Sequence, residues 1–240
     1  MPSRESVEQF RLAQQEITRR AQRDLRAFLR VAPLDPGALH EALTDFLVDL
    51  TATYGEANVA LAAEWVEANT PVRLPRPLPL GDLPGREQLA RTAGWALRGD
   101  LTGEVPVALR NRLTTEVEGR LTGSVQRAVL NPARQTIERT AFAANIGYAR
   151  VPTGAETCAF CLMLASRGAV YAKDSAARTK DGRRYHDDCD CTPVLVASED
   201  DYPEGYDPDA LYDQYEHARA NAGGNQNAIL AQMRQDLDVR

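Results

Sequence analysis

The stretch DPGALHEALTDFLVDLTATYGEANVALAAEWVEA, residues 35–68, decides the fold. It begins with Asp35 and Pro36, an N-cap residue followed by proline at the first helical position. Its apolar residues then recur at helical spacing and form one stripe from Leu39 to Trp65. The stretch therefore predicts one long amphipathic helix.

The segments on either side follow the same pattern up to residue 145. Helices are predicted at residues 3–31, 86–97 and 106–130, and Asn131-Pro132 repeats the cap-then-proline start and predicts a separate helix to about residue 145. Between the second and third helices, residues 70–84 are rich in proline, which lacks a donor and fixes φ, so they predict an extended connector.

After Gly147 the helical spacing of apolar residues gives way to short strand-like segments, which predicts a second, smaller structural unit. Short strands are expected at 148–152 and 192–196, with a helical turn at 162–166 and a hairpin or mobile tip at 173–184. Helices at 209–220 and 228–237 complete the chain. The predicted fold class is mainly α, with long amphipathic helices over residues 3–148, a small α+β module at 150–197 that holds all four cysteines, and an acidic helical segment at 198–240.

Composition and charge exclude several classes of protein. The 240 residues are 43% hydrophobic and 26% charged, as in an ordinary globular protein. The net charge is −6 and resides in residues 198–240, which carry ten acidic residues against three arginines and are expected to be a solvated or docking segment. A general nucleic-acid binder would show a basic surplus instead. Six arginines between residues 110 and 139 are interpreted as a solvated polar face, and the alternative is a patch that contacts nucleic acid or an acidic partner.

Two further features bear on where the protein is made. No apolar run approaches 18 residues, so no transmembrane helix is expected. The N-terminus lacks the apolar core of a secretory signal. Synthesis in the cytoplasm is expected, where thiols stay reduced.

The cysteines form the most informative motif. All four lie within Cys158-Ala-Phe-Cys161 and His186-Asp-Asp-Cys189-Asp-Cys191. A CxxC pair is half of a tetrahedral thiolate site, and a second pair returned by a loop completes it. Mixed sulfur and nitrogen ligands favour Zn²⁺. Five residues compete for four positions, and we rank Cys158, Cys161, His186 and Cys191 first, with Cys189 as the spare.

Three other interpretations of these cysteines compete with a structural zinc site. Two disulfides conflict with a reducing compartment. A thioredoxin-like pair requires a βαβ context that the surrounding pattern lacks. A Cys-His nucleophile for proteolysis does not require four clustered cysteines. A closed zinc site with four protein ligands is favoured, and such a site is not itself catalytic.

Several short motifs together resemble one known family. They are Arg150-Val-Pro, Cys158-Ala-Phe-Cys161, Met163-Leu-Ala-Ser-Arg-Gly168, Val170-Tyr171 and Tyr185-His186-Asp-Asp-Cys189-Asp-Cys191. They look like the Mu F-like (MuF) minor capsid and head morphogenesis proteins of tailed actinobacterial phages, whose hallmark is CxxC followed by HxxCxC. The resemblance is specific over residues 150–196. Acidic residues inside HxxCxC depart from many relatives and weaken any claim that this element touches DNA.

This resemblance implies a minor structural protein of the phage head, present in several copies in the capsid near the portal. The portal protein, the major capsid protein, or both would be its partners, with packaged DNA a weaker candidate. No membrane is implied. The alternative is a capsid maturation protease, the label that related sequences often carry, with a Cys or Ser nucleophile and His186 as base. A DNA-contacting ejection protein is a third possibility.

Overall fold

The computed structural model describes residues 2–99, 106–153, 157–169, 185, 189, 191–198 and 201–239. Helices α1 to α8 span Arg4–Val31, Pro36–Asn69, Arg86–Ala96, Pro106–Arg112, Glu118–Ala143, Ala159–Ala165, Pro208–Ala222 and Gln226–Leu237. A π-helical turn, Leu113–Val117, joins α4 to α5. Strands β1, Gly147–Pro152, and β2, Cys191–Val196, form a two-stranded sheet. The predicted fold class, mainly α with a small α+β unit, is confirmed.

Helices α1 and α2 begin at the caps that the sequence predicts. The Ser3 hydroxyl accepts a hydrogen bond from the Ser6 amide at 3.0 Å, and the Asp35 carboxylate accepts one from the Ala38 amide at 2.9 Å. Each bond satisfies one of the amides that have no partner within the first helical turn.

Helix α5 corrects one prediction. Asn131-Pro132 does not start a new helix, because α5 continues through Pro132 to Ala143. An interior proline costs about 3 kcal/mol. Val129 and Ile137, on either side of it, are both fully buried, and each such burial contributes about 1.5–3 kcal/mol. Burial of one continuous apolar stripe therefore outweighs the cost of the proline.

The main core lies between α1, α2 and α5. Leu25, Leu43 and Leu121 are fully buried there, and Leu89 of α3 joins the same cluster. Since these side chains come from helices distant in sequence, the three long helices form one packed layer.

The proline-rich connector, residues 70–84, has no helix or strand, as predicted, and it follows the surface of α5. The Gly81 amide donates to the Thr136 hydroxyl at 2.9 Å, and Arg139 binds the Leu80 carbonyl and the Asp82 carboxylate. A Cβ at Gly81 would lie 2.0 Å from the Pro132 carbonyl oxygen, so only glycine fits.

The arginines between residues 110 and 139 are not a uniformly solvated face. Arg110 donates to the carbonyls of Leu29 and Ala32 at 2.9 and 2.8 Å, and Arg120 donates to that of Ala96 at 2.8 Å. Arg134 is only 4% exposed. These three side chains join elements within the chain, so the solvated-face interpretation is wrong for them.

The sheet packs between the helical layer and the C-terminal elements. Strands β1 and β2 are antiparallel, in a register that runs from Gly147 opposite Val196 to Pro152 opposite Cys191. Helix α6 packs on β1, and α7 and α8 pack on α6. Leu164 of α6 and Met233 of α8 are buried in one cluster. The acidic C-terminal segment is therefore folded against the cysteine module, so the expectation of a solvated tail is wrong for α8.

Two predictions fall on residues outside the described part of the chain. These are the hairpin at 173–184 and the turn residues His186, Asp187, Asp188 and Asp190. Among the described residues, no helix combines the length and apolar character needed to cross a membrane.

Candidate metal centre

Three buried cysteine sulfurs converge beside the sheet. The Sγ atoms of Cys161, Cys189 and Cys191 all lie within 4.8 Å of one another. The Cys161 and Cys189 sulfurs are 3.5 Å apart, and none of the three residues is more than 1% exposed. None of the four cysteines forms a disulfide. The two halves of the sequence motif meet at one point.

The short helix α6 positions the CxxC half. Cys158 is its N-cap, and its sulfur accepts a hydrogen bond from the Cys161 amide at 3.4 Å. The Cys161 thiol interacts with the thiols of Cys158, Cys189 and Cys191, and these contacts together with burial raise the pKa of Cys161. Cys158, which is partly buried, therefore belongs to the same cluster as the other three.

The returning half is held by α5 and by the sheet. Cys191 is the first residue of β2 and pairs with Pro152 of β1. Arg134 of α5 donates from Nη2 to the Cys189 carbonyl at 2.7 Å and to the Cys191 carbonyl at 3.4 Å. One side chain from the long helix thus fixes the backbone of both cysteines.

Two buried guanidinium groups enclose the ring of Tyr185 beside the sulfurs. The Cζ atoms of Arg134 and Arg150 lie 4.1 and 4.0 Å from the ring centroid. The Tyr185 hydroxyl donates to Glu138 at 2.9 Å. Arg150 is completely buried, and its Nη2 lies 3.6 Å from the Cys189 sulfur. The cysteine cluster therefore lies in a buried, positively charged environment.

That environment favours a thiolate. Hydrogen bonds from the Cys161 and Cys191 thiols, assisted by the charges of Arg134 and Arg150, lower the pKa of Cys189 despite its burial. Burial alone would lower the pKa of Arg150, but Tyr185 and the cysteine sulfurs more than offset it and raise that pKa. A buried cation is stable only beside a compensating negative charge, and the sulfurs can supply it.

A comparison with models of protein families shows to which family the chain belongs. A family model described as VG15 protein matches residues 1–218. The chain belongs to the VG15 family. This family is associated with phages. A search of curated proteins and a search of solved structures found no match.

The cysteine set of this VG15 protein fits a zinc ion. A tetrahedral ion with Zn–S bonds of about 2.3 Å places its sulfurs about 3.8 Å apart. The three buried sulfurs, at 3.5 Å for one pair and within 4.8 Å for all, are close to that spacing. Buried thiolates are soft ligands that suit zinc better than hard cations. When bound, zinc would contribute folding free energy by linking α6 to the start of β2.

The motif predicts that Cys158, Cys161, Cys189 and Cys191 lie close together, and the structure places them in one cluster. His186 lies outside the described residues, and the motif itself carries no signal for the residues around the cluster. The ranking that left Cys189 as the spare gains no support, since Cys189 is one of the three closest sulfurs. The helical spacing predicts that Arg134 lies on a polar face, whereas the structure buries it. The sequence does carry a signal for Arg150, because it is a single cation inside an otherwise apolar strand, a pattern that indicates a buried charge with a partner.

Proposed function

We propose that this VG15 protein is a minor structural component of a tailed-phage head. In this proposal it acts in capsid assembly near the portal, through contacts with the portal protein or the major capsid protein. The match of residues 1–218 to a phage-associated family carries the proposal. The CxxC and HxxCxC motifs, which resemble those of Mu F-like minor capsid proteins, support the more specific role.

The burial of the cysteines supports a structural role rather than a catalytic one. A thiol nucleophile must reach a peptide bond in a bound substrate. Cys161, Cys189 and Cys191 are at most 1% exposed and contact one another. Their sulfurs are therefore in position to bind a metal ion. A structural zinc ion with four protein ligands has no coordination position left for water. This zinc centre would hold the module to the helical layer.

The use of the arginines supports protein contacts over DNA contacts. DNA binders present their cations to phosphates. Arg110, Arg120 and Arg139 instead donate to carbonyl oxygens of the same chain. The chain also carries a net charge of −6.

The test is to locate the protein in assembled heads. Purified particles of the phage that encodes the chain should contain it by mass spectrometry, and immunogold labelling should place it at one vertex. Co-expression with the portal protein and, separately, with the major capsid protein should give a complex with one of them. Absence from particles and failure to bind either protein would refute the proposal.

Matched variants separate the zinc module from the rest of the chain. Cys158→Ser should increase proteolysis within residues 150–196 while the helical layer stays folded. Arg91→Ala is a suitable control, because Arg91 is exposed and pairs only along its own helix with Glu87 in the described contacts. Unchanged proteolysis and melting of Cys158→Ser would exclude a structural centre. Cleavage of the capsid protein on co-expression would instead favour the maturation protease.

A further inference from the structure

Three cysteine sulfurs converge in this cluster, and the fourth, that of Cys158, lies beside Cys161 at its edge. Cys161 contacts the thiols of Cys158, Cys189 and Cys191, and it shares a buried cluster with them. Zinc in structural sites is almost always four-coordinate. Four thiolates would therefore complete the tetrahedron without another ligand.

The charge around the cluster distinguishes between ligand sets. Zinc with four thiolates carries a net charge of −2, whereas zinc with three thiolates and a neutral imidazole carries −1. Arg134 and Arg150 supply two positive charges, and they are 4% and 0% exposed. Glu138 is only partly buried, so solvent screens its carboxylate. Since a buried charge without compensation is costly, the two buried cations found among the described residues match the four-thiolate set.

The hydrogen bonds of the two arginines also favour Cys189 as a ligand. Arg150 approaches the Cys189 sulfur at 3.6 Å, and Arg134 binds the Cys189 carbonyl at 2.7 Å. Ligand sulfurs in metal sites are commonly oriented by such outer contacts. Cys189, the residue that the spacing ranks last, is thus contacted at both its sulfur and its carbonyl oxygen.

We infer that Cys158, Cys161, Cys189 and Cys191 bind one zinc ion as four thiolates, that Arg134 and Arg150 neutralise the resulting centre, and that His186 is not a ligand. This inference rests on the structural zinc centre proposed above. Arg134 and Arg150 are positioning residues, because they act through the ligands and through the Tyr185 ring between them.

Zinc-edge X-ray absorption of the full-length, zinc-loaded protein tests the ligand set directly. We expect four sulfurs at about 2.3 Å, whereas a histidine ligand would add a nitrogen at about 2.0–2.1 Å. His186→Ala should keep one zinc per chain and an unchanged spectrum. Cys189→Ser should lose zinc affinity by more than the roughly 10- to 100-fold that an outer contact contributes.

The outcomes separate this inference from the proposal on which it rests. No zinc by native mass spectrometry in the wild-type chain would refute the zinc centre itself. One zinc with three sulfurs and one nitrogen, the nitrogen lost in His186→Ala, would refute only the four-thiolate set. The wild type and His186→Ala suffice for this decision even if Cys189→Ser fails to fold.

Discussion

Replacing Arg150 with methionine tests whether the buried cations balance the charge of the proposed metal centre. Methionine is similar in length and apolar, so Arg150→Met removes the charge with little loss of volume. Arg150 is fully buried, contacts the Cys189 sulfur and stacks on the Tyr185 ring. Among the contacts with described residues, the substitution therefore removes the one to the Cys189 sulfur, which depends on the thiolate, and the one to the Tyr185 ring, which does not.

The size of the effect follows from those two contacts. A desolvated cation–π contact contributes about 2 kcal/mol. A hydrogen bond to a charged group contributes about 1.5–3 kcal/mol. The zinc-bound protein should therefore lose about 3–5 kcal/mol of unfolding free energy, the range seen when one member of a buried ion pair is removed. Without zinc the cysteines are no longer held together, so the contact of Arg150 with the Cys189 sulfur is not maintained and at most the ring contact of about 2 kcal/mol is lost.

The assay is urea unfolding followed by circular dichroism, once with excess zinc and once with a chelator. The difference between the two losses, about 1.5–3 kcal/mol, corresponds to a zinc affinity about 10- to 100-fold weaker. A competitive titration with a chromophoric chelator measures the same zinc Kd independently. The two measurements should agree, because both report the free energy of zinc binding.

Arg110→Met is the matched control. Arg110 also donates to buried parts of the chain, the Leu29 and Ala32 carbonyls, but it lies in the helical layer. Its loss should be equal with and without zinc. If Arg150→Met likewise loses the same free energy in both conditions and leaves the zinc Kd unchanged, Arg150 does not balance the centre and the charge argument is wrong.

Three further substitutions test the fold around the centre. Ile137→Ala, at a fully buried position of α5, should cost about 2–5 kcal/mol in urea unfolding, and a loss below about 1 kcal/mol would contradict the continuous stripe through Pro132. Asp35→Ala removes the cap on the Ala38 amide and should cost about 1 kcal/mol, whereas Asp35→Asn should retain most of the stability. Met233→Ala, at a 1% exposed position of α8, should cost about 2–5 kcal/mol and expose the C-terminal segment to protease, and a protease-resistant variant would show that α8 is not held by α6.

The helices were predictable because their signals are local. Ser3 and Asp35 determine where α1 and α2 begin through bonds to amides three residues ahead. A cap and an apolar period are both properties of neighbouring residues, so sequence alone reveals them. Pro132 shows the limit of this reasoning. Its local signal favours a new helix, but the burial of Val129 and Ile137 against other helices decides otherwise.

The centre was predictable only in part for the same reason. The spacing of Cys158 and Cys161 is local, and α6 supplies the turn that it requires. Arg134, by contrast, lies 55 residues before Cys189, to which it binds. No periodicity or motif connects two residues at that distance, so only the fold reveals the contact.

The position of Arg134 links the small module to the helices that would carry out assembly. Arg134 lies on α5, whose other faces pack against α1 and α2, and its guanidinium binds the carbonyl groups of Cys189 and Cys191. Ile137 and Ala141 of the same helix pack with Tyr148 of β1. Since α5 contributes to the helical core and to the module, loss of the metal should perturb the end of α5 near Arg134 before the distant half of α1. Hydrogen exchange with and without chelator would measure this gradient, and equal protection along both helices would show that the module is only appended to them.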